Sequence, residues 1–98
     1  DSGILVDISE LDISTLVKAL ARKEFSTVRS WVVENLDNDP NMIFRKLYEG
    51  LSQELVGRSI PQLVLIIADY QYKSAFVADQ EINLLACMTQ IMVECEFK

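Results

Sequence analysis

Ninety-eight residues, half of them apolar and 24% charged, with three glycines and two prolines, make one globular domain and leave no room for a catalytic domain beside a regulatory one. Nine Lys and Arg against fifteen Asp and Glu give a net charge of −6, which repels a phosphate backbone and excludes a stand-alone nucleic-acid binder built on electrostatics. The longest apolar run, Leu63 to Ala68, is far short of the roughly 20 residues a membrane helix needs, and a chain opening on Asp rather than Met is expected to be a piece of something longer.

The residues Ile4 to Ile8 allow a short extended lead-in, after which the period is helical. Ile13, Leu16, Val17 and Leu20 fall at i, i+3, i+4, i+7 and predict a first helix over about 12–22, capped by Asp12 or Ser14. Its basic edge, Lys18 and Arg22 with Lys23 and Arg29 nearby, reads as a solvated helix end where cations suit the dipole. Ser26 opens a second helix, about 26–36, with Val28, Trp31, Val32 and Leu36 inward. Asp39-Pro40 is a start signal, because Asp accepts from free amides and Pro fits the first helical position; the third helix is expected over 40–55, with Ile43, Phe44, Leu47, Tyr48, Leu51 and Leu55 inward. Gly57 marks a break, and Ser59 with Pro61 starts a fourth helix over 60–74. Asp79 caps a fifth over 80–95, in which only Asn83, Thr89, Gln90 and Glu94 are clearly polar. The expected architecture is an all-α five-helix bundle over 1–98.

Helices four and five are more apolar than surface helices. A helix that is apolar nearly all round must be covered nearly all round. Either one side of the bundle faces a partner chain, or helix five is the central helix wrapped by the other four.

The chemistry the sequence closes off is extensive. Histidine is absent, which removes Ser-His and Cys-His nucleophile pairs and His-containing zinc sites. Cys87 and Cys95 are too far apart on one helix, roughly 12 Å along the axis, for a disulfide. They read as buried free thiols in a reducing compartment. Asp37-Asn38-Asp39-Pro40-Asn41 mimics the start of a calcium loop, but Met42 stands where the sharp turn needs Gly and Tyr48 where a bidentate Glu is needed. The glycines at 3, 50 and 57 are followed by Ile4, Leu51 and Arg58, so no phosphate loop exists. Glu94 and Glu96 lie in a charged, wet stretch and read as ordinary ionised carboxylates. No catalytic, cofactor or metal residue is assigned, and the segment is expected not to be an enzyme. Tyr70, Tyr72 and Phe76 close the fourth helix as a base-stacking platform, as anchors in a protein interface, or as core; the acidic balance favours the interface over the platform.

Four places resemble a known family. The opening Asp1-Ser2-Gly3-Ile4-Leu5, Lys46-Leu47 with Glu49, Pro61-Gln62, and the run from Tyr70-x-Tyr72 through Ala78-Asp79-x-Glu81-Ile82-x-Leu84 stand in matching order over essentially the whole chain. With the ending Cys95-Glu96-Phe97-Lys98, the chain resembles the C-terminal collar domain of DNA polymerase sliding-clamp loader small subunits, closest to the T4-like bacteriophage type and related to cellular replication factor C small subunits. Asp79 and Asn83 depart from the cellular pattern, which favours Asn and Gln.

The resemblance implies a five-helix collar that holds ATPase subunits in a ring by helix-to-helix contacts. ATP and Mg²⁺ would then be bound by AAA+ modules outside this segment, which also reach the sliding clamp and primer-template DNA. The partners would be other clamp-loader subunits, and the compartment the cytoplasm of a phage-infected bacterial host, with no membrane. No catalytic residue carries over. The expected subunit interface draws on Leu65, Tyr70, Tyr72, Phe76, Leu85 and Met92. The rival, from another class, is a free-standing helical adaptor or regulator.

Overall fold

A computed structural model describes residues 13–98. The Asp12 cap, the Ile4–Ile8 lead-in and the Asp1–Leu5 match lie outside the described residues. Those residues form five helices, α1 Ile13–Arg22, α2 Phe25–Glu34, α3 Pro40–Leu51, α4 Ile60–Ser74 and α5 Gln80–Glu94, with a single 3₁₀ turn, Gly57–Ser59, leading into α4. The domain is an all-α bundle. Its helices close a circuit in which α1 packs on α2, α2 on α5, α5 on α4, α4 on α3 and α3 back on α1, with α1 also touching α5 across the middle.

The starts of α3 and α5 follow from local chemistry. Asp39 accepts from the Asn41 amide at 3.0 Å with Pro40 in the first turn, and Asp79 accepts from the Glu81 and Ile82 amides at 3.0 and 3.4 Å. The start of α4 differs from the expected cap. Ser59 is itself in helical conformation and makes no cap bond; its buried Oγ instead accepts from the Glu96 amide at 2.9 Å.

Two helices stop earlier than their apolar pattern suggests. α2 begins one residue before Ser26 and ends at Glu34, because the Asn35 side chain donates to the Trp31 carbonyl at 2.8 Å and its own amide to Trp31 and Val32, leaving Leu36 outside the helix and partly exposed. α3 ends at Leu51 rather than 55. Leu55 leaves the helix to pair with Phe97 in an isolated antiparallel bridge, with Val56 N–H to Glu96 carbonyl at 3.0 Å and Lys98 N–H to Glu54 carbonyl at 2.9 Å. The chain end is thereby stapled across the α3–α4 connection.

The turn between α1 and α2 is the least expected feature. Lys23 adopts the left-handed region, φ 58°, where glycine is usual. The Lys23 amide bonds the Leu20 carbonyl at 3.1 Å and the Glu24 amide the Ala19 carbonyl at 2.9 Å, the paired bonds of a Schellman ending. The side chain supplies a reason for lysine here. Its ammonium donates to the Met92 carbonyl at 2.8 Å, one of the carbonyls that the end of α5 leaves without an intrahelical partner, and lies 5.8 Å from the Phe97 ring centroid.

The core joins Leu16, Val17, Ala19 and Leu20 of α1, Val28, Trp31 and Val32 of α2, and Ile43, Phe44, Leu47 and Leu51 of α3. Leu63, Ile66 and Ile67 of α4 and Leu84, Cys87, Met88, Ile91 and Met92 of α5 complete it, with Leu55 and Cys95 at the stapled end. Where α1 crosses α3, a Cβ built on Gly50 would stand 2.9 Å from Ile13 Cγ2 and 3.2 Å from Val17 Cγ2. The small residue lets the two helices approach.

Candidate functional site

The polar residues between α4 and α5 fix how these helices sit. Gln62 Nε2 donates to Glu94 Oε1 at 2.6 Å, Tyr70 Oη to Gln90 Oε1 at 3.0 Å, and Asn83 Nδ2 to the Tyr70 carbonyl at 3.3 Å, so the helices run antiparallel in one register. Asn83, one of the four clearly polar positions of the helix, is buried here. Gln80 Nε2 also donates to the Ser74 carbonyl at 2.8 Å and closes the end of α4.

With that side of α4 used by α5, and Leu63, Ile66 and Ile67 used by the core, the remaining side faces water. It carries Pro61, Leu65, Ala68, Tyr72 and Ala75, all exposed and spaced 4, 3, 4, 3, the spacing of a helix-packing seam. Leu65 and Tyr72 are 66% and 70% exposed, and Phe76, just past the helix end, 72%. The Tyr72 and Phe76 rings lie against each other with centroids 5.1 Å apart, an arrangement of the kind aromatic pairs prefer. Beside the stripe an open groove of about 260 Å³ runs between α3 and α4, walled by Phe44, Tyr48, Val64, Ile67 and Ala68. The only charges on α4 are Asp69 and Lys73, paired at 3.0 Å; the Asp69 hydrogen bond and charge raise the Lys73 pKa. The stripe is therefore apolar with a self-neutralised edge.

α5 has a second stripe. Ile82, Ala86, Thr89 and Val93 are exposed at spacing 4, 3, 4, with Ile82 at 65% and Val93 at 78%. The charges on α5 itself are acidic, and cations from other elements lie beside them. Glu81 lies 3.9 Å from Arg29, Glu94 takes bonds from Gln62 and Gln90, and Glu96 pairs with Arg58. Glu94 and Glu96 thus face different partners and share nothing.

Of the six residues expected at an interface, the structure brings Leu65, Tyr72 and Phe76 together on the α4 stripe. Tyr70 is half-buried, turned toward Gln90 with Lys73 4.9 Å above its ring, and Leu85 is half-buried against the core. Met92 is a correction: at 6% exposure it is a core residue, pressed inward where α5 meets the Lys23 turn. Ala68, Ile82, Ala86 and Val93 were not singled out as contact residues from the sequence. The 4, 3, 4 spacing of the two stripes was readable, but it is interleaved with an equally apolar core pattern on the same helices.

Other chemistry is sparse. Cys87 and Cys95 are free and buried, and burial pushes the Cys87 thiol up to about 12 and raises Cys95 as well. Among the described residues no group of three or more Cys, Asp or Glu is placed to hold a metal ion, and no helix is long and apolar enough to cross a membrane. No protein-family model matches the chain and no curated protein matches it, so the resemblance rests on the residues quoted for it.

Proposed function

We propose that this chain is a helical oligomerisation domain, and specifically the collar of a sliding-clamp loader subunit. The observation that supports this reading is the exposed seam on α4, Leu65, Ala68, Tyr72 and Phe76, on a helix whose other sides are already packed. Contiguous exposed apolar surface marks a protein-interaction site, and seam spacing suits a helix as the occupant. In this reading the domain contributes no chemistry. ATP and Mg²⁺ are bound by AAA+ modules elsewhere in the parent protein, and the collar holds neighbouring subunits so that those modules open a sliding clamp and close it on primer-template DNA, in the cytoplasm of a phage-infected bacterium.

The test is genetic and direct. Sequencing the codons that precede Asp1 should reveal a phosphate loop, an acidic Mg²⁺ motif and a lid. A start codon immediately before Asp1 would replace the collar with a free-standing helical adaptor that uses the same seam.

A further inference from the structure

The stretch that follows α5 has one strand edge paired and the other free. Cys95 is extended, φ −100° and ψ 145°, and Phe97 lies opposite Leu55 in the isolated antiparallel bridge. The flanking bonds run from the Val56 N–H to the Glu96 carbonyl and from the Lys98 N–H to the Glu54 carbonyl. They make Leu55 and Phe97 a pair of the non-hydrogen-bonded kind, whose own N–H and C=O groups point away from the ladder. Glu96 turns its groups the other way, and its N–H is taken by Ser59 Oγ. The Phe97 N–H and C=O and the Cys95 C=O therefore share the outer edge, and none of the three has a hydrogen-bond partner among the described residues.

That edge opens on a groove of about 860 Å³ between the chain end, the end of α5 and the α1–α2 turn, walled by Lys23, Phe25, Met92 and Val93. Residues 54–56 do not line it, so it lies on the unpaired side. We infer that this edge is a docking site for an extended peptide segment of a partner protein, added as a further strand along residues 95–97, with an acidic residue opposite Phe97 and an apolar one opposite Cys95. The inference does not depend on the oligomerisation reading, and the groove shares only Thr89 and Val93 with the α5 stripe.

The free backbone groups select the occupant's conformation. A docked helix has already spent its own N–H and C=O groups and would leave those of Phe97 unpaired, whereas an extended backbone supplies a donor and an acceptor at strand spacing. Lys23 selects the charge. Its ammonium stands 5.8 Å from the Phe97 ring centroid and gives one donor to the Met92 carbonyl, out of the three an ammonium has. Neither Lys23 nor Lys98, the cations of the groove, forms an ion pair among the described residues. The acids of the lining are engaged elsewhere, Glu96 with Arg58 and Glu94 with Gln62 and Gln90. A residue opposite Phe97 sets its side chain on the face of the Phe97 ring, so a carboxylate there meets the Lys23 ammonium. The residue opposite Cys95, two along, falls on the same face and suits the apolar wall.

The probe is a blocked heptapeptide, Thr-Val-Thr-Asp-Thr-Val-Thr, which reads the same in both directions and so suits parallel or antiparallel addition. It is titrated to millimolar concentration into the isotope-labelled 98-residue chain and followed by amide NMR. The Phe97 amide should shift and its hydrogen exchange should slow about tenfold or more, while the amides of α3 and α4 stay in place. Exchanging the peptide's Asp for Lys should weaken binding about threefold or more, and N-methylation of its central residues should abolish it. A Phe97 amide that does not respond, or shifts confined to the α4 seam, would overturn the inference. Equal binding by the N-methylated peptide would overturn the strand pairing, and equal binding by the Lys peptide would overturn the acidic partner.

Discussion

Leu63 and Leu65 stand two residues apart in α4 on opposite sides, and replacing each by Asp should separate the core of this domain from its contact surface. Leu63 is fully buried. Losing its side chain alone costs about 2–5 kcal/mol, and Asp adds the cost of a carboxyl with no partner in an apolar site, another ~1–3 kcal/mol. A sum of roughly 3–8 kcal/mol is a large share of the about 5–15 kcal/mol a domain of this size possesses. Leu63→Asp should be largely unfolded, or melt about 12 °C or more below the parent at about 4–8 °C per kcal/mol. Leu65 is 66% exposed, so only about a third of its burial is at stake, ~0.5–1 kcal/mol, with a few tenths more for the poorer helix propensity of Asp. Its melting point should fall by no more than about 10 °C. Circular dichroism at 222 nm measures both. Leu65→Asp should also lose association with its partner, whereas Leu85→Asp, half-buried against the core, should fall between the two in stability. If Leu65→Asp melts as early as Leu63→Asp, the outer face of α4 is not a free surface and the functional reading built on it fails.

Three further outcomes follow from named contacts. Lys23→Gly removes the left-handed strain while Lys23→Ala keeps it, and both lose the bond to Met92; chemical denaturation should find the glycine variant more stable than the alanine one by about 1 kcal/mol, and equal stabilities would deny the strain. Gly50→Ala gains about 1 kcal/mol of helix propensity, but its Cβ meets two β-branched side chains with little freedom to turn away, at a cost of about 1–3 kcal/mol. A net loss near 1 kcal/mol is expected, and a stabilised variant would show that α1 can move. For pH, burial raises the folded pKa of Cys87 to about 12, so above about pH 9 the unfolded chain releases a proton that the folded one retains. Stability is therefore lost as pH rises, by up to roughly 1.4 kcal/mol per pH unit from this thiol. Cys87→Ala should show a flatter decline between pH 9 and 11, and parallel declines would mean the thiol is not held neutral.

Much of the bundle was legible in the sequence because helix starts and periods are local. Asp39-Pro40 and Asp79 meet amides two or three residues away, and the limits of α4 match a pattern written entirely within its own residues. The early ends of α2 and α3 were less legible. Asn35 competes for the Trp31 carbonyl, and Leu55 is drawn off by Phe97, a partner 42 positions along the chain.

The candidate site divides in the same way. Sequence alone determined that α4 and α5 carry more apolar surface than a surface helix can hide, and it singled out Leu65, Tyr72 and Phe76. It did not decide which sides of those helices lie open, because on a helix apolar nearly all round every side satisfies the same period. That choice was made by contacts between distant residues: Gln62 with Glu94, Tyr70 with Gln90 and Asn83 with the Tyr70 carbonyl turn one side of α4 toward α5, and α3 takes another. The same is true of Lys23, Ser59 and Met92, whose roles depend on an α5 carbonyl, the Glu96 amide and the depth of the core. Local preference sets where a helix begins and which residues are apolar; only packing decides which of those apolar residues remain for a partner.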